Sequence, residues 1–386
     1  MRYALKNVDI VTPFRHVERG IVLVEDGTIA GIGGPRDFPV PEGIPVHDLD
    51  GMILAPGFID LLVHGGGGHG FADTDDDAVG KISEYFFSHG TTGLLAALYS
   101  KPEPEMIADV QRIAGFAERT RGKGNVWGIH LEGPFINPAL HGAMKKEYLW
   151  KANLDGWNRL HDAGRGTIRL MTIAPEMPGM ADILRAAARS GVVLSIGHSM
   201  ASYDDVLFAI DNGVAHVTHL FNAMPPFHHR KPSVVLSALL HNELKIELIA
   251  DGIHVHPAVM KLIYNIKGSG GIILVTDAIR ASGMPEGKYT FMDQTIYMKD
   301  RRAYLADNTL AGSTLTMNQA VKTMVQQVDV PLTDAMRMAS LNGAKVLGVE
   351  HKKGIIAVGK DADLVVLDRN FEVYMTICEG EIRYRR

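Results

Sequence analysis

Hydrophobic and polar positions follow different rhythms at the ends and in the middle of the chain. Near the N-terminus the rhythm is that of β-structure. Residues 3–11 are strand-like, and residues 21–24 and 28–32 flank Asp26-Gly27. Glycine accepts the positive φ of a tight turn, so this segment predicts a hairpin. Near the C-terminus, Leu364-Val365-Val366-Leu367 forms a buried-type strand, and Val373, Met375 and Ile377 alternate with more polar neighbours. Glu379-Gly380 then turns the chain into Ile382 and Tyr384. Neither end is long enough to bury a core alone. The economical arrangement packs residues 1–54 and 351–386 together as one small β-sandwich and leaves residues 55–350 as a separate domain.

The middle alternates short apolar runs with helical spacing. Strands are expected at 53–63, 92–98, 126–131, 168–173, 192–196, 215–220, 246–249 and 272–275. Between them, Ile107, Val110, Ile113, Ala114 and Ala117 repeat at helical intervals. Ser202 followed by Asp205 forms a capping-box pattern, and Gly213 is a plausible stop for the same helix. Roughly eight strand–helix units match a (β/α)8 barrel, although a doubly wound sheet uses the same units. Polar side chains at the strand ends favour the barrel: His64, Glu132, Glu176, His198, His219, Asp251 and Asp277. In a barrel all strand C-termini converge on one mouth, whereas in an open sheet they would spread along an edge. The expected class is therefore α/β, a TIM-type barrel with a terminal β-sandwich.

Composition narrows the function. Hydrophobic residues make up 46% of the 386 and charged residues 22%, the balance of an ordinary globule. Disordered, collagenous and polytopic membrane chains are excluded. With 39 basic and 44 acidic side chains the formal charge is −5, so nucleic acid is not an expected partner. Apolar runs fall far short of the ~18–20 residues that span a bilayer, so no membrane partner is expected either. The early polar residues Arg2, Lys6 and Asn7 do not suit a secretory signal. Cys378 is the single cysteine, which leaves no internal disulfide and fits a reducing, cytoplasmic setting.

Three of the strand-end residues suggest a metal. Glu132, in His130-Leu131-Glu132-Gly133-Pro134, follows an apolar run; His198 ends the next-but-one expected strand and His219 the one after. One such residue alone is more often a cap or a core histidine. Two imidazoles and a carboxylate together form a catalytic zinc-type shell, with one position left open. Asp277 closes the last strand and suits a base that takes a proton from water and passes it to a leaving group. His254 is either a group that polarises a carbonyl or a surface histidine. Arg230, in His228-His229-Arg230-Lys231, has the planar fork that fits phosphate but also suits a solvated charge cluster. The run Gly65-Gly66-Gly67-Gly68-His69-Gly70 formally satisfies G-x-G-x-x-G. Polyglycine matches almost any glycine motif, so a mobile loop beside the site is expected there, not a dinucleotide fold. The P-loop, H-E-x-x-H and G-x-S-x-G patterns are absent.

Taken in order, Pro56-Gly57-Phe58-Ile59-Asp60, His130 to Phe135, Ala174-Pro175-Glu176, Gly197-His198-Ser199, Thr218 to Met224, Ala250-Asp251-Gly252, Thr276-Asp277-Ala278 and Leu310-Ala311-Gly312-Ser313 resemble the amidohydrolase superfamily. Within it they resemble the N-acetylglucosamine-6-phosphate deacetylase family, from end to end. The resemblance implies a homodimer and hydrolysis of an N-acetyl amide on an amino sugar phosphate. It makes Glu132, His198 and His219 the metal ligands, Asp277 the catalytic base and acid, and His254 the carbonyl-polarising residue. It gives Ala143, Asn222, Ala223, Arg230, Asp251, His254, Leu310, Ala311 and Gly312 to substrate binding, with the arginine reaching the phosphate held by a neighbouring subunit.

Two departures from the family pattern qualify this. Many relatives carry His-x-His after the first barrel strand and hold a second metal there. The corresponding residues here are Leu62 and His64. Leucine cannot ligate, so the expectation is one divalent ion per subunit, Zn2+ first, with Fe2+ or Mn2+ also suited to the ligands. His64 remains as a second-metal or loop residue. The family also pairs Ala with His after the Glu-Gly-Pro segment, where this chain has Ala143-Met144, with His141 three residues before Met144. That leaves open the galactosamine epimer, another acetamido substrate, or a paralogue that binds sugar phosphate without turnover.

Overall fold

The structure is a computed structural model and describes residues 1–34, 38–75, 77–120 and 124–386. Eight parallel strands form the barrel: β1 (Phe58–Val63), β2 (Thr91–Tyr99), β3 (Val126–Glu132), β4 (Ile168–Ile173), β5 (Val193–Ile196), β6 (His216–Val217), β7 (Lys245–Ile249) and β8 (Ile272–Val275). Each pairs with its neighbour in chain order from β1 to β8. Parallel strands covered on both faces read as continuous apolar runs, and all six residues of β1 are buried. The helix Glu103–Arg119 lays Met106, Val110, Ile113 and Ala114 on the barrel, close to the stripe expected from the spacing. Ser202 and Asp205 form the reciprocal capping box at the start of Tyr203–Asp211.

Two expected strands differ from the observed ones. Residues 53–63 divide at Gly57. Ile53–Pro56 joins the terminal sheet against Leu364–Leu367, and the barrel begins at Phe58. A side chain at Gly57 would bring its Cβ within 2.1 Å of Thr92 Oγ1, so the crossing needs glycine. Residues 215–220 shrink to a two-residue strand, because the backbone leaves the ladder before His219, where φ is 31°.

The terminal segments build one hydrogen-bonded sheet of eight strands, with Ile53–Pro56 beside Arg2–Val11 at its centre. Its inner residues, among them Leu5, Val22, Leu54, Val366 and Met375, enclose a core of their own. Asp26 and Gly27 both have positive φ, as the expected hairpin turn requires. Among the described residues, no helix is long and apolar enough to cross a membrane.

One further element was not expected from the sequence. After β8 the chain makes a four-stranded antiparallel sheet from Gly287–Phe291, Gln294–Lys299, Arg302–Tyr304 and Leu310–Ser313. It packs Phe291, Met292, Ile296 and Met298 against Met144, Ala143 and Ile279. Its first turn carries Met292 and Asp293 with φ of 50° and 53° but no glycine, so the usual hairpin signal is missing.

The barrel closes through a side chain as well as backbone. Between β1 and β8, Asp277 N–H donates to Leu62 O at 2.9 Å, and Val63 bridges Ala278. Below that point Asp60 replaces the ladder. It accepts Thr276 N–H at 3.1 Å and Thr276 Oγ–H at 2.6 Å. Burial pushes the Asp60 carboxyl up to about 7, against the Thr276 bonds that favour its charge. Replacing Asp60 with Ala orphans donors in a dry interior, at about 1–3 kcal/mol each. The urea midpoint of Asp60→Ala should therefore fall by the equivalent of at least ~2 kcal/mol. Asp60→Asn, which keeps one acceptor, should fall less, and equal midpoints for Asp60→Ala and the parent would refute this closure.

Candidate functional site

The strand ends meet as the barrel expectation required. A cavity of about 420 Å3 opens at the mouth, lined by Glu132 from β3, His198 after β5, His219 after β6 and Asp277 after β8. His64, His254, Ala143, Asn222, Ala223, Leu310 and Gly312 also line it. Glu132, His198 and His219 are buried and form the one group of potential metal-ligating side chains found among the described residues. His198 Nε2 lies 3.0 Å from Glu132 Oε1, His219 Nε2 lies 3.1 Å from the same oxygen, and the two nitrogens are 3.1 Å apart.

Ring tautomers sharpen the picture. His198 Nδ1–H donates to Leu140 O at 2.8 Å, which turns Nε2 towards the cluster. Burial opposes its charge, but the Glu132 carboxylate outweighs this and raises the imidazole, so Nε2 faces the cluster with a proton or, in the neutral ring, with a lone pair free for a cation. Two nitrogens and a carboxylate oxygen aimed at one point suit a divalent cation. Burial works against the Glu132 charge, yet His198, His219 and His64 facing it hold its carboxyl well below the usual range.

His64 contributes differently from the other two histidines. Its Nε2 lies 3.2 Å from Glu132 Oε2 and 3.3 Å from Asp277 Oδ1, so it spans the carboxylate of the cluster and the expected base. Its ring sits edge-on to Phe291, with Tyr99 close by. Leu62 is buried and brings no donor to this side.

His254 is set by Asp251. Its Nδ1–H donates to Asp251 Oδ2 at 2.7 Å, while Asp251 Oδ1 accepts the N–H groups of Ile253 and His254 at 2.8 Å each. The ring thus turns Nε2 towards the cavity, and Asp251 acts from behind rather than from the cavity wall. Ala311 likewise lies buried beneath the wall formed by Leu310 and Gly312.

Other expected residues lie elsewhere. Arg230 is exposed outside the cavity, with its guanidinium against His229. Glu176 is a peg between loops, accepting from Asn137, Ser199 and the Met200 N–H. The glycine run is a packed hairpin, Gly65–Gly66 against His69–Gly70, rather than a loose loop. Gly65 lies against the hairpin's own backbone and Gly66 against Tyr85, leaving no room for a side chain at either. Met144 is buried in the apolar cluster under the hairpin sheet, and His141 reaches the cavity with Nδ1–H on Met144 O at 2.5 Å.

Beside the Glu132–His198–His219 cluster runs a buried polar chain. His130 joins Leu61 O to Thr172 Oγ, which meets Thr218 Oγ; Ser195 Oγ continues to His216. Burial pushes His130 down to about 4 and His216 down to about 3, so both rings are neutral. Sequence spacing gave no sign of this layer, because His130, Thr172, Ser195 and His216 each sit between apolar residues in an otherwise ordinary strand.

Residues 53–383 match the amidohydrolase family model. The chain belongs to the amidohydrolase family. It is 35% identical over 383 residues to the N-acetylglucosamine-6-phosphate deacetylase of Bacillus subtilis, covering 98% of this chain and 96% of that protein. It is 33% identical to an N-acetylgalactosamine-6-phosphate deacetylase of Escherichia coli O157:H7, covering 93% of each. Among solved structures, N-acetylglucosamine-6-phosphate deacetylase from Pasteurella multocida superposes with a TM-score of 0.94 at 32% identity over all of both chains.

In this amidohydrolase the Asp251–His254 pair has a signature that can be measured. Burial pushes His254 down, but the Asp251 carboxylate outweighs it and raises the imidazole above its ordinary value. The stabilisation is therefore present below the unfolded value of about 6.5 and lost as pH rises through the folded one. Asp251→Asn should lower the His254 titration midpoint, followed by NMR. An unmoved midpoint would disprove the pairing.

Proposed function

We propose that this amidohydrolase hydrolyses the acetamide of N-acetylglucosamine 6-phosphate, giving glucosamine 6-phosphate and acetate. The observation that carries the reading is one cavity that brings Glu132, His198 and His219 together with Asp277 and His254. The full-length similarity to deacetylases of this substrate supports it. One divalent ion per subunit, zinc by preference, would be held by Glu132, His198 and His219, with no second ion because Leu62 offers no donor.

When bound, such an ion would lower the pKa of water to about 7 and polarise the acetyl carbonyl. Asp277 takes the proton of the attacking water as the oxygen adds to the acetyl carbon. His254, its Nδ1–H committed to Asp251 and its imidazole held protonated by that carboxylate, donates Nε2–H to the acetyl oxygen and stabilises the negative charge that grows there. As the C–N bond breaks, Asp277 returns the proton to the amine, and acetate and the amino sugar leave. Asn222, Ala223, Leu310 and Gly312 shape the sugar pocket.

The reading extends to a homodimer in the cytoplasm. Arg230, exposed and outside its own cavity, would then serve the phosphate bound by the partner. A second reading, the N-acetylgalactosamine 6-phosphate epimer, is favoured by Met144 standing where relatives place histidine and by the Escherichia coli relative.

Asp277→Asn should keep its metal in elemental analysis and lose turnover by at least about 100-fold. Near-parental acetate release would remove Asp277 as the base. Arg230→Ala should raise KM for the phosphorylated sugar about 10-fold or more, the loss of one charge-assisted bond, and leave the unphosphorylated sugar little changed. Equal effects on both would reject the phosphate role. Comparing kcat/KM for the two epimers decides the substrate, and metal-loaded protein that releases no acetate from either would overturn the proposal.

A further inference from the structure

Glu247 on β7 is fully buried inside the barrel and takes no part in the chemistry above. Its Oε2 accepts the backbone N–H of His219 at 3.2 Å, and its own carbonyl accepts the N–H of Leu220 at 2.9 Å. One residue thus grips two successive peptides of the segment that carries His219.

That segment is anchored before the histidine, where Thr218 N–H donates to Ile196 O and its hydroxyl meets Thr172 and Ser195, but it has little β-ladder at the histidine itself. Its strand, β6, is two residues long. His219 has a φ of 31°, a conformation that L-residues keep only where the surroundings over-determine it. The other histidine of the cluster is held by its ring, since His198 Nδ1–H donates to Leu140 O. His219 lacks that restraint: its Nδ1 has no hydrogen-bond partner among the described residues. The direction of its Nε2 is therefore set by the backbone. Asn222 Nδ2 holds the carbonyl side of the residue at 3.1 Å, and Glu247 holds the N–H side. A buried carboxyl is costly, and an apolar side chain would fill the same volume more cheaply if packing were its only purpose.

We propose that Glu247 is a positioning residue that aims His219 at the metal by accepting its backbone N–H. The inference rests on His219 being a ligand, as in the reading above. What matters is an acceptor oxygen at this reach, so glutamine should serve as well as glutamate and an apolar side chain of similar length should not. Partners of this kind change metal affinity by about 10–100-fold when removed.

The test is zinc affinity of the full-length protein, by competition with a chromophoric chelator, together with the melting temperature of each metal-free variant. Glu247→Gln should bind zinc within about threefold of the parent, and Glu247→Met about 10–100-fold more weakly. Rescue by the amide separates positioning from mere filling of space. If Glu247→Met does not fold, Glu247→Asn, too short to reach the His219 N–H, takes its place with the same expected loss. Parental affinity in the Met or Asn variant, or a Gln variant as weak as the Met variant, overturns the proposal while leaving the deacetylase reading intact. A parent that binds no zinc removes both.

Discussion

Two imidazole nitrogens and a carboxylate oxygen about 3 Å apart, on buried side chains, repel one another unless a proton or a cation lies among them. Glu132, His198 and His219 are held in that arrangement by elements far apart in sequence, and much of the mouth is organised around it. Leu140 fixes one ring, His64 spans the far oxygen of Glu132 and the carboxylate of Asp277, and the loop from 139 to 144 wraps over His198. The fold contributes the energy needed to hold like-natured donors together before any ion arrives, which is the sense in which the site is preorganised.

The same constraint explains an unusual backbone feature. His198, His219 and Asp277 all have positive φ, at 50°, 31° and 52°. A residue still in the ladder points its side chain into or out of the barrel. One left-handed residue at the strand end turns the next functional group across the mouth instead. Such conformations are costly for residues other than glycine and persist where neighbouring bonds leave no alternative. Asp60 provides that rigidity under Asp277 by tying Thr276 to β1, and buried polar side chains do comparable work beside the two histidines.

The roof of the cavity follows a different logic. The sheet inserted after β8 brings Phe291 and Met292 over the site and buries Met144 beside them. A water-poor, largely apolar cover strengthens each charge interaction below it. It also means that Met144 meets the cavity from within an apolar cluster, while His141 supplies a polar ring on that side.

Much of this was legible in the sequence, and the division has a physical basis. Period predicted the alternating strand–helix units, and the polar residues at the strand ends favoured a barrel over an open sheet; the two ends were expected to pair because neither can bury a core alone. Glu132, His198, His219 and Asp277 stood out because a charged or imidazole group just after such a run has few places to go except the mouth. Local sequence did not carry the roof sheet, whose turn at Met292-Asp293 lacks glycine, nor the packed hairpin hidden in the glycine run. It also could not assign Glu247 or Asp60, whose importance lies in bonds to residues 28 and 216 positions away. Tertiary structure decided those, since a buried polar group takes its meaning from its partner, and only the closed barrel brings the partners within reach.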